Sequence, residues 1–418
     1  MWNHKVKMIK QYNYKFRIYP NKDQIAFLDE QIGYSRFVYN FFLERSINLH
    51  KNYNVKTNYY TNAAIIPLLK KGFPFLKEAN SQSLQATLKC LDSAFRNFFQ
   101  HRAKFPNFKK KINTNSIVIP QHFDINNNML YIPKLKTPLK IKLHRKVFET
   151  VKSITVTKTL PGKYYVNMLV EKEFTLLPKT NKISGIDLGI KDFAIITTGA
   201  NIANKESRKI INHKYLVKSE KKLTNLSRQL DKKQHKKNKT DKTKTSNNYI
   251  KFAKKVSKLH DHIGNQRKDF SHKLSSSMVN DSQVIVLEDL NIKGMVKNRH
   301  LSKSIQDVSW GMFTNQLAYK ADWYGRDILK VNRFYPSSKT CSKCGYIHKD
   351  LKLSDREWTC PDCDTKHDRD INASINLFLE GLKIGQELPE LTPAEYAPAG
   401  IHNTGYSRHT MKQEAHAS

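Results

Sequence analysis

The 418-residue sequence contains no run approaching about 18 uninterrupted apolar residues, so no membrane-spanning helix is expected. Its first residues, MWNHKVKMIKQYNYKF, lack the apolar core of a secretory signal. Cysteine is scarce: there are five, four of them in one C-terminal cluster. That count argues against a disulfide framework and for a reducing compartment with metal-bound thiolates. No internal repeat is visible. Acid is also in short supply. Asp and Glu number 36 against 73 Lys and Arg, a net charge of +37 spread along the chain. Self-repulsion on this scale weakens a fold unless something neutralises it. A polyanionic partner is therefore expected, nucleic acid rather than membrane. The length implies two to four domains.

Among the segments present, YNYKFRIYP (12–20) alternates, with Tyr14, Phe16 and Ile18 on one face. It reads as a strand ended by Pro20 and Asn21. From Asp23 to about His101 the pattern is helical. Leu84, Leu88, Leu91, Phe95 and Phe98 recur there at helical spacing as a core stripe, and Cys90 is expected as a small core residue. FPNFKKK (105–111) ends the helices and sets Phe108 beside Lys109, Lys110 and Lys111. A ring that stacks on a base and lysines that meet phosphate make a nucleic-acid contact; a solvated basic loop is the alternative. Residues 116–173 read as strands, with a hairpin at Pro161-Gly162. They suggest a small β-barrel-like module interrupted by the helical block. LLPKTNK (176–182) reads as a linker. Residues 214–280 are basic and helical, broken at KKNKTDKTKTSNN, and are expected to meet nucleic acid, with Arg267 as a candidate contact.

KISGIDLGIKDFAII (182–196) is an apolar strand with a carboxylate, Asp187, at its centre. An ionised carboxylate buried there costs several kcal/mol, in order of magnitude, unless a partner compensates. Ile183, Gly185, Asp187 and Gly189 share one face, and the two glycines leave room for another chain to approach. The same logic recurs in VIVLEDL (284–290), where Glu288 follows Val284 and Val286 at the strand's end. In HDRDINASINLFLEGL, Ile371, Ile375, Phe378 and Leu382 form a helical stripe with Asp370 in the first turn. Asp368 reads as an ordinary helix N-terminal acid. Asp187, Glu288 and Asp370 are expected to converge on two Mg²⁺ ions, Asp187 anchoring both and each of the others completing one shell. Magnesium prefers oxygen ligands and phosphates. Two ions roughly 3.5–4 Å apart serve both the attacking and the leaving oxygen of an in-line displacement. The expected reaction is metal-assisted hydrolysis of nucleic acid.

CSKCGYIHKDLKLSDREWTCPDC places Cys341 and Cys344, then Cys360 and Cys363, in two C-x₂-C pairs separated by 15 residues. This is zinc-ribbon spacing. Four thiolates fill a tetrahedral shell, so one structural Zn²⁺ is expected; a redox pair is the alternative. The ribbon would sit between the last strand and the helix bearing Asp370.

GIDLG, VLEDLN and SSKTCSKCG…WTCPDC…DRDINASIN, in this order, resemble the TnpB family, insertion-sequence-encoded relatives of type V CRISPR effectors. YKFRIYPN, FPNFKKK, NQRKDFSHKLS and SWGMFTNQLAYKA extend the resemblance over nearly the whole chain. The resemblance implies a multidomain α+β and α/β fold. Its parts would be a split RuvC-like (RNase H-like) nuclease domain (181–340 and a last catalytic helix, 367–384) and an inserted zinc ribbon (341–366). An N-terminal β-barrel wedge (1–20 and 105–180) would be interrupted by a helical recognition lobe (21–104), and a disordered tail (385–418) would follow. It implies an RNA-guided endonuclease that cuts double-stranded DNA beside a short transposon-adjacent motif. The guide RNA would derive from the transposon end, and the protein would act as a monomer with its RNA in the bacterial cytoplasm, at the nucleoid. The family's triad falls on Asp187, Glu288 and Asp370 and its zinc ligands on Cys341, Cys344, Cys360 and Cys363, all intact. A transposase or a guided DNA-binding regulator on the same scaffold, and a zinc-ribbon transcription factor, are the alternatives.

Overall fold

A computed structural model describes residues 7–111, 115–234, 246–352 and 354–387. The tail expected to be disordered from 385 lies outside the described residues from 388 onward, and most of the polar break KKNKTDKTKTSNN lies outside them too. The chain forms two compact units, Ile9–Glu173 and a second that begins at Phe174.

The first unit opens with strand β1 (Lys7–Tyr19), whose alternation buries Tyr14, Phe16 and Ile18 as expected. Helix α1 (Lys22–Tyr53) starts at Asn21, which forms a capping box with Gln24, and ends at Asn54 in a left-handed conformation. Two short helices follow, α2 (Tyr59–Ala63) and α3 (Ile66–Gly72), and then α4 (Ser81–Phe99), capped by Asn80. Strands β2 (Ser116–Ile119), β3 (Asp124–Asn126), β4 (Met129–Tyr131), β5 (Leu139–Lys142), β6 (Val151–Lys158) and β7 (Tyr164–Thr175) complete the unit. They form one seven-stranded sheet in the order β2-β6-β7-β1-β5-β4-β3. Among the described residues nothing pairs β2 with β3, so the sheet is a half-barrel. β1 sits at its centre although the helical block separates it in sequence from the other six strands. The first turns of α1 (Leu28, Ile32) pack on the sheet; its later turns (Val38, Phe42, Leu43) pack with Leu84, Leu88 and Leu91 of α4. Cys90 departs from expectation. It is exposed, because Leu88 and Leu91 set the phase of α4 and turn position 90 outward.

The second unit carries β8 (Ile183–Leu188), β9 (Asp192–Gly199) and β10 (Glu206–Ile211), then the helices α5 (Tyr215–Gln234) and α6 (Asn247–Asp281). Strand β11 (Val284–Glu288) follows, then α7 (Ile292–Met295), α8 (Arg299–Val308), α9 (Trp310–Tyr324) and strand β12 (Asp327–Val331). A two-stranded ribbon, β13 (Glu357–Thr359) and β14 (Lys366–Asp368), leads into the last helix, α10 (Arg369–Glu387). Helices α8 and α9 are parted at Ser309, which is in a left-handed conformation (φ 59°). The five-stranded sheet has the order β10-β9-β8-β11-β12. β10, β9 and β8 are antiparallel, whereas β8, β11 and β12 are parallel and joined by helical crossovers.

Helices cover both faces of this sheet. Ile186, Ile285 and Leu287 face Met278 and Val279 of α6 and Phe313 and Leu317 of α9. Ile183, Val284, Val286, Leu329 and Val331 face Leu377 and Phe378 of α10. Gly185 decides how closely α10 approaches. A Cβ there would lie 2.3 Å from the Phe378 nitrogen and 2.5 Å from the Ser374 carbonyl oxygen. The complementary position on the helix is Gly381, where a Cβ would strike Val286 and Ile183 at 2.6 and 2.8 Å. The room expected beside Asp187 for another chain is therefore taken at Gly185 by this chain's own last helix, because only there can the helix backbone rest on the strand.

Candidate functional site

β8 and β11 run parallel with Val286 opposite Gly185 and Leu287 opposite Ile186. One step further, at the strand ends, Asp187 and Glu288 come level, on the face that α10 covers. Asp370 belongs to the first turn of α10. Each acid is partly exposed. Protein nonetheless surrounds the Asp187 carboxyl closely. Burial, then the charge of Glu288, then that of Asp370 raise its pKa to about 8, against a smaller opposing pull from Arg369. Two strands and a helix thus bring the three predicted acids within electrostatic reach of one another.

Their partners differ. Asp370 is held at both oxygens: Arg369 donates to Oδ1 from Nη2 (2.9 Å) and Nε (3.0 Å), and Arg356 donates to Oδ2 from Nη1 (2.9 Å). Glu288 Oε1 accepts from the Ser337 hydroxyl at 2.5 Å. Asp368 has the structural role expected of it. Its Oδ1 accepts from the backbone N–H groups of Asp370 and Ile371, each at 3.1 Å, and its Oδ2 from Lys209 at 2.6 Å. Burial works against ionisation there, but Lys209 and the backbone donors outweigh it and hold its pKa low.

The four cysteines meet. Their sulfurs all lie within 4.8 Å of one another. Cys341 Sγ is 3.7 Å from Cys363 Sγ, and Cys344 Sγ is 3.5 Å from Cys360 Sγ. Two matching turns present them. Gly345 N–H donates to Cys341 O (2.9 Å) with Gly345 at φ 83°, and Asp364 N–H donates to Cys360 O (3.0 Å) with Asp364 at φ 53°. The Thr365 hydroxyl and backbone lower the Cys363 thiol to about 6. His367 Nε2 lies 3.1 Å from Cys341 Sγ. Four soft donors at this spacing, with an imidazole behind one, suit a tetrahedral zinc site. Among the described residues no other group of three or more such side chains draws this close.

Of the candidate nucleic-acid contacts, Phe108, Lys110 and Lys111 are exposed. Lys109 is turned inward. Its backbone exchanges hydrogen bonds with the Asn40 side chain (2.7 and 2.9 Å), and its ammonium lies 4.1 Å from the Tyr39 ring centre. Burial lowers its pKa. Arg267 is engaged as well. It donates to the buried Asp307 from Nη2 (2.7 Å) and Nε (3.2 Å), and Asp307 also accepts from the N–H groups of Leu216 and Val217 at the start of α5. It ties three helices together. A charged residue in a basic helix reads as a phosphate contact until its partner, on another helix remote in sequence, is known.

Sequence reasoning passed over Ser337, Asn372 and Asn376. Asn376 donates to the carbonyls of Ser337 (2.7 Å) and Thr340 (2.6 Å), and Asn372 donates to Thr340 O (2.7 Å) and accepts from Ser342 N–H (3.0 Å). All three sit in the motifs already singled out, but isolated polar residues have no periodicity to mark them.

Comparison with known proteins bears on the whole chain. A putative RNA-guided DNA endonuclease of Streptomyces pristinaespiralis is 34% identical over 375 residues, covering 88% of this chain and 89% of that protein. The putative RNA-guided DNA endonuclease InsQ of Escherichia coli K12 is 30% identical over 408 residues, covering 92% and 96%. The TnpB-like protein L79 of Acanthamoeba polyphaga mimivirus is 30% identical over 244 residues, 56% of this chain. The chain belongs to the TnpB family. Three family models match it: a probable transposase (OrfB of IS605) over residues 165–299, a Cas12f1-like TNB domain over 310–377, and a helix-turn-helix domain over 8–54. In this TnpB-family chain the last of these segments is not two helices but strand β1 followed by the continuous helix α1. Among solved structures, the mini-RNA-guided endonuclease CRISPR-Cas_phi3 covers 88% of the chain at 10% identity and a TM-score of 0.48.

Proposed function

We infer that the protein is an RNA-guided DNA endonuclease encoded by an insertion sequence, cutting double-stranded DNA beside a short transposon-adjacent motif. The observation that carries this reading is the charge coupling at Asp187. Glu288 and Asp370, which come much later in the sequence on β11 and α10, help to raise its carboxyl to about 8. A fold gains nothing from gathering three acids at a strand end. A site that receives divalent cations does. The strand order, three antiparallel then two parallel, with helices on both faces, supports an RNase H-like nuclease core split by the cysteine ribbon. Names of relatives that match nearly end to end support guidance by RNA and DNA as the target.

The residues fit Mg²⁺: carboxylates only, partly open, one of them protonated at neutral pH until a cation replaces the proton. Asp187, Glu288 and Asp370 would hold two ions, which when bound stabilise the attacking and leaving oxygens of a phosphodiester displacement. Asp187 would give up its proton and lie between the other two acids. Arg369 and Arg356 hold the Asp370 carboxylate in place at both of its oxygens. Cys341, Cys344, Cys360 and Cys363 would hold one structural Zn²⁺ beside the helix that carries Asp370. The half-barrel would be the wedge domain, its helical block (21–104) the recognition lobe, and Phe108, Lys110 and Lys111 would touch nucleic acid. The protein would work as a monomer with its RNA, in the cytoplasm at the nucleoid.

The test is to purify the protein from cells carrying the flanking DNA of its gene and to sequence the RNA that accompanies it. One defined RNA that runs into sequence beyond the element gives the guide, from which a matching DNA target is written and assayed for Mg²⁺-dependent cutting. Heterogeneous RNA, or none, would overturn guidance.

A further inference from the structure

The polar residues around Glu288 form a chain that leads away from the acids and into the cysteine ribbon. The Ser337 hydroxyl donates to Glu288 Oε1 at 2.5 Å, and Ser337 is buried at 5% exposure. Among the described residues Glu288 Oε2 has no hydrogen-bond partner. The Ser337 carbonyl accepts from Asn376 Nδ2, and Asn376, 2% exposed, donates also to Thr340 O. Thr340 immediately precedes Cys341 and closes a turn, its N–H and its hydroxyl both donating to Pro336 O (3.0 and 2.9 Å). Residues 336–340 are thus a rigid turn, bound to α10 on one side and running into the first cysteine turn on the other.

We propose that Ser337 is a positioning residue: seated by Asn376 in the turn that begins the cysteine ribbon, it fixes the Glu288 carboxylate for a divalent cation. This rests on the nuclease reading above. A carboxylate at a strand end has free rotamers, and a ligand left free to rotate loses affinity for its ion. Ser337 engages one oxygen and leaves the other without a partner. Because the seat of Ser337 is shared with the base of the ribbon, the ribbon braces Glu288 through Ser337, while it holds Asp370 through Arg356. The adjacent Ser338 makes no such bond and provides the control.

The test uses the protein together with its copurified RNA. Fe²⁺ is titrated in place of Mg²⁺ with ascorbate and peroxide, and polypeptide scission beside the bound ion is located by mass spectrometry. In the wild type, scission near residues 187 and 288 is expected to depend on Asp187. Ser337→Ala should raise the half-saturating Fe²⁺ by about 10-fold. Ser337→Thr should restore it and Ser338→Ala should leave it unchanged, with a Co²⁺-loaded ribbon spectrum like that of the wild type throughout. Saturation of Ser337→Ala at the wild-type Fe²⁺ concentration would overturn the proposal and leave the nuclease reading standing. Scission that does not depend on Asp187 would overturn both. If Ser337→Ala does not fold, Ser337→Cys, which keeps the volume but donates weakly, is read against the same limits.

Discussion

The cysteine ribbon and the acid centre, the two places proposed above to hold cations, are assembled in opposite ways. The ribbon is local: two matching turns between Cys341 and Cys363 bring four sulfurs within 4.8 Å, and among the described residues no side chain outside the segment joins that group. The acid centre is assembled from β8, β11 and α10, three stretches far apart in sequence. Soft ligands that must close round one ion are best packed close by short turns. Hard ligands that must leave room for phosphates and water are best held apart by a rigid sheet and helix. On the reading proposed above, the first arrangement would give stability and the second chemistry.

The largest test of that contrast is Asp187→Ala. Cleavage should fall below detection while RNA and target binding stay within about 3-fold, read by gel-shift beside the cleavage assay. An equal loss of binding would make Asp187 structural. Cys344→Ser should act in the reverse sense. It should release zinc and destabilise the fold, measured as a lower unfolding midpoint. A variant of normal stability without zinc would erase the distinction. Gly185→Ala should cost about 1–3 kcal/mol because its Cβ would press on the backbone of α10. It should slow cleavage by displacing Asp370 and leave the cobalt spectrum of the ribbon unchanged.

The mildest test is pH. Asp187 is protonated in the metal-free fold up to about 8 but ionised in the unfolded chain above about 4. Between those values the native state binds the extra proton, so this group's contribution to stability is full at low pH and is lost as pH rises toward 8. Asp187→Asn should therefore stabilise the metal-free protein more at pH 8 than at pH 4 in thermal melts. Mg²⁺ must displace the same proton, so its affinity should rise with pH across that range and level off above about 8.

The same contrast explains what was legible in the sequence. The ribbon could be read outright, because its ligand spacing is its geometry. The three acids could be read as interruptions of apolar periodicity. Their convergence was expected, but not the packing that produces it: α10 rests on the strand where Gly185 meets Phe378, and periodicity says that a face is clear without saying what fills it. Cys90 was misplaced for a related reason: it lies beside the stripe of α4, and one helical position is about 100° of turn. Arg267 and Lys109 read as phosphate contacts because their actual partners, Asp307, Tyr39 and Asn40, are remote in sequence.

The helix that rests on Gly185 is the last element of the described chain, so the acid centre is completed late in synthesis. A ribosome adding about 5–20 residues per second needs roughly 10–40 s to pass from Asp187 to Asp370. Throughout that interval β8 and β11 lie without the helix that covers them, and the acid centre lacks its third member. On the nuclease reading proposed above, a nascent chain would be unable to cut until that helix is made. The third acid comes with the first turn of α10, and the residues that seat the helix on the sheet come with the turns that follow.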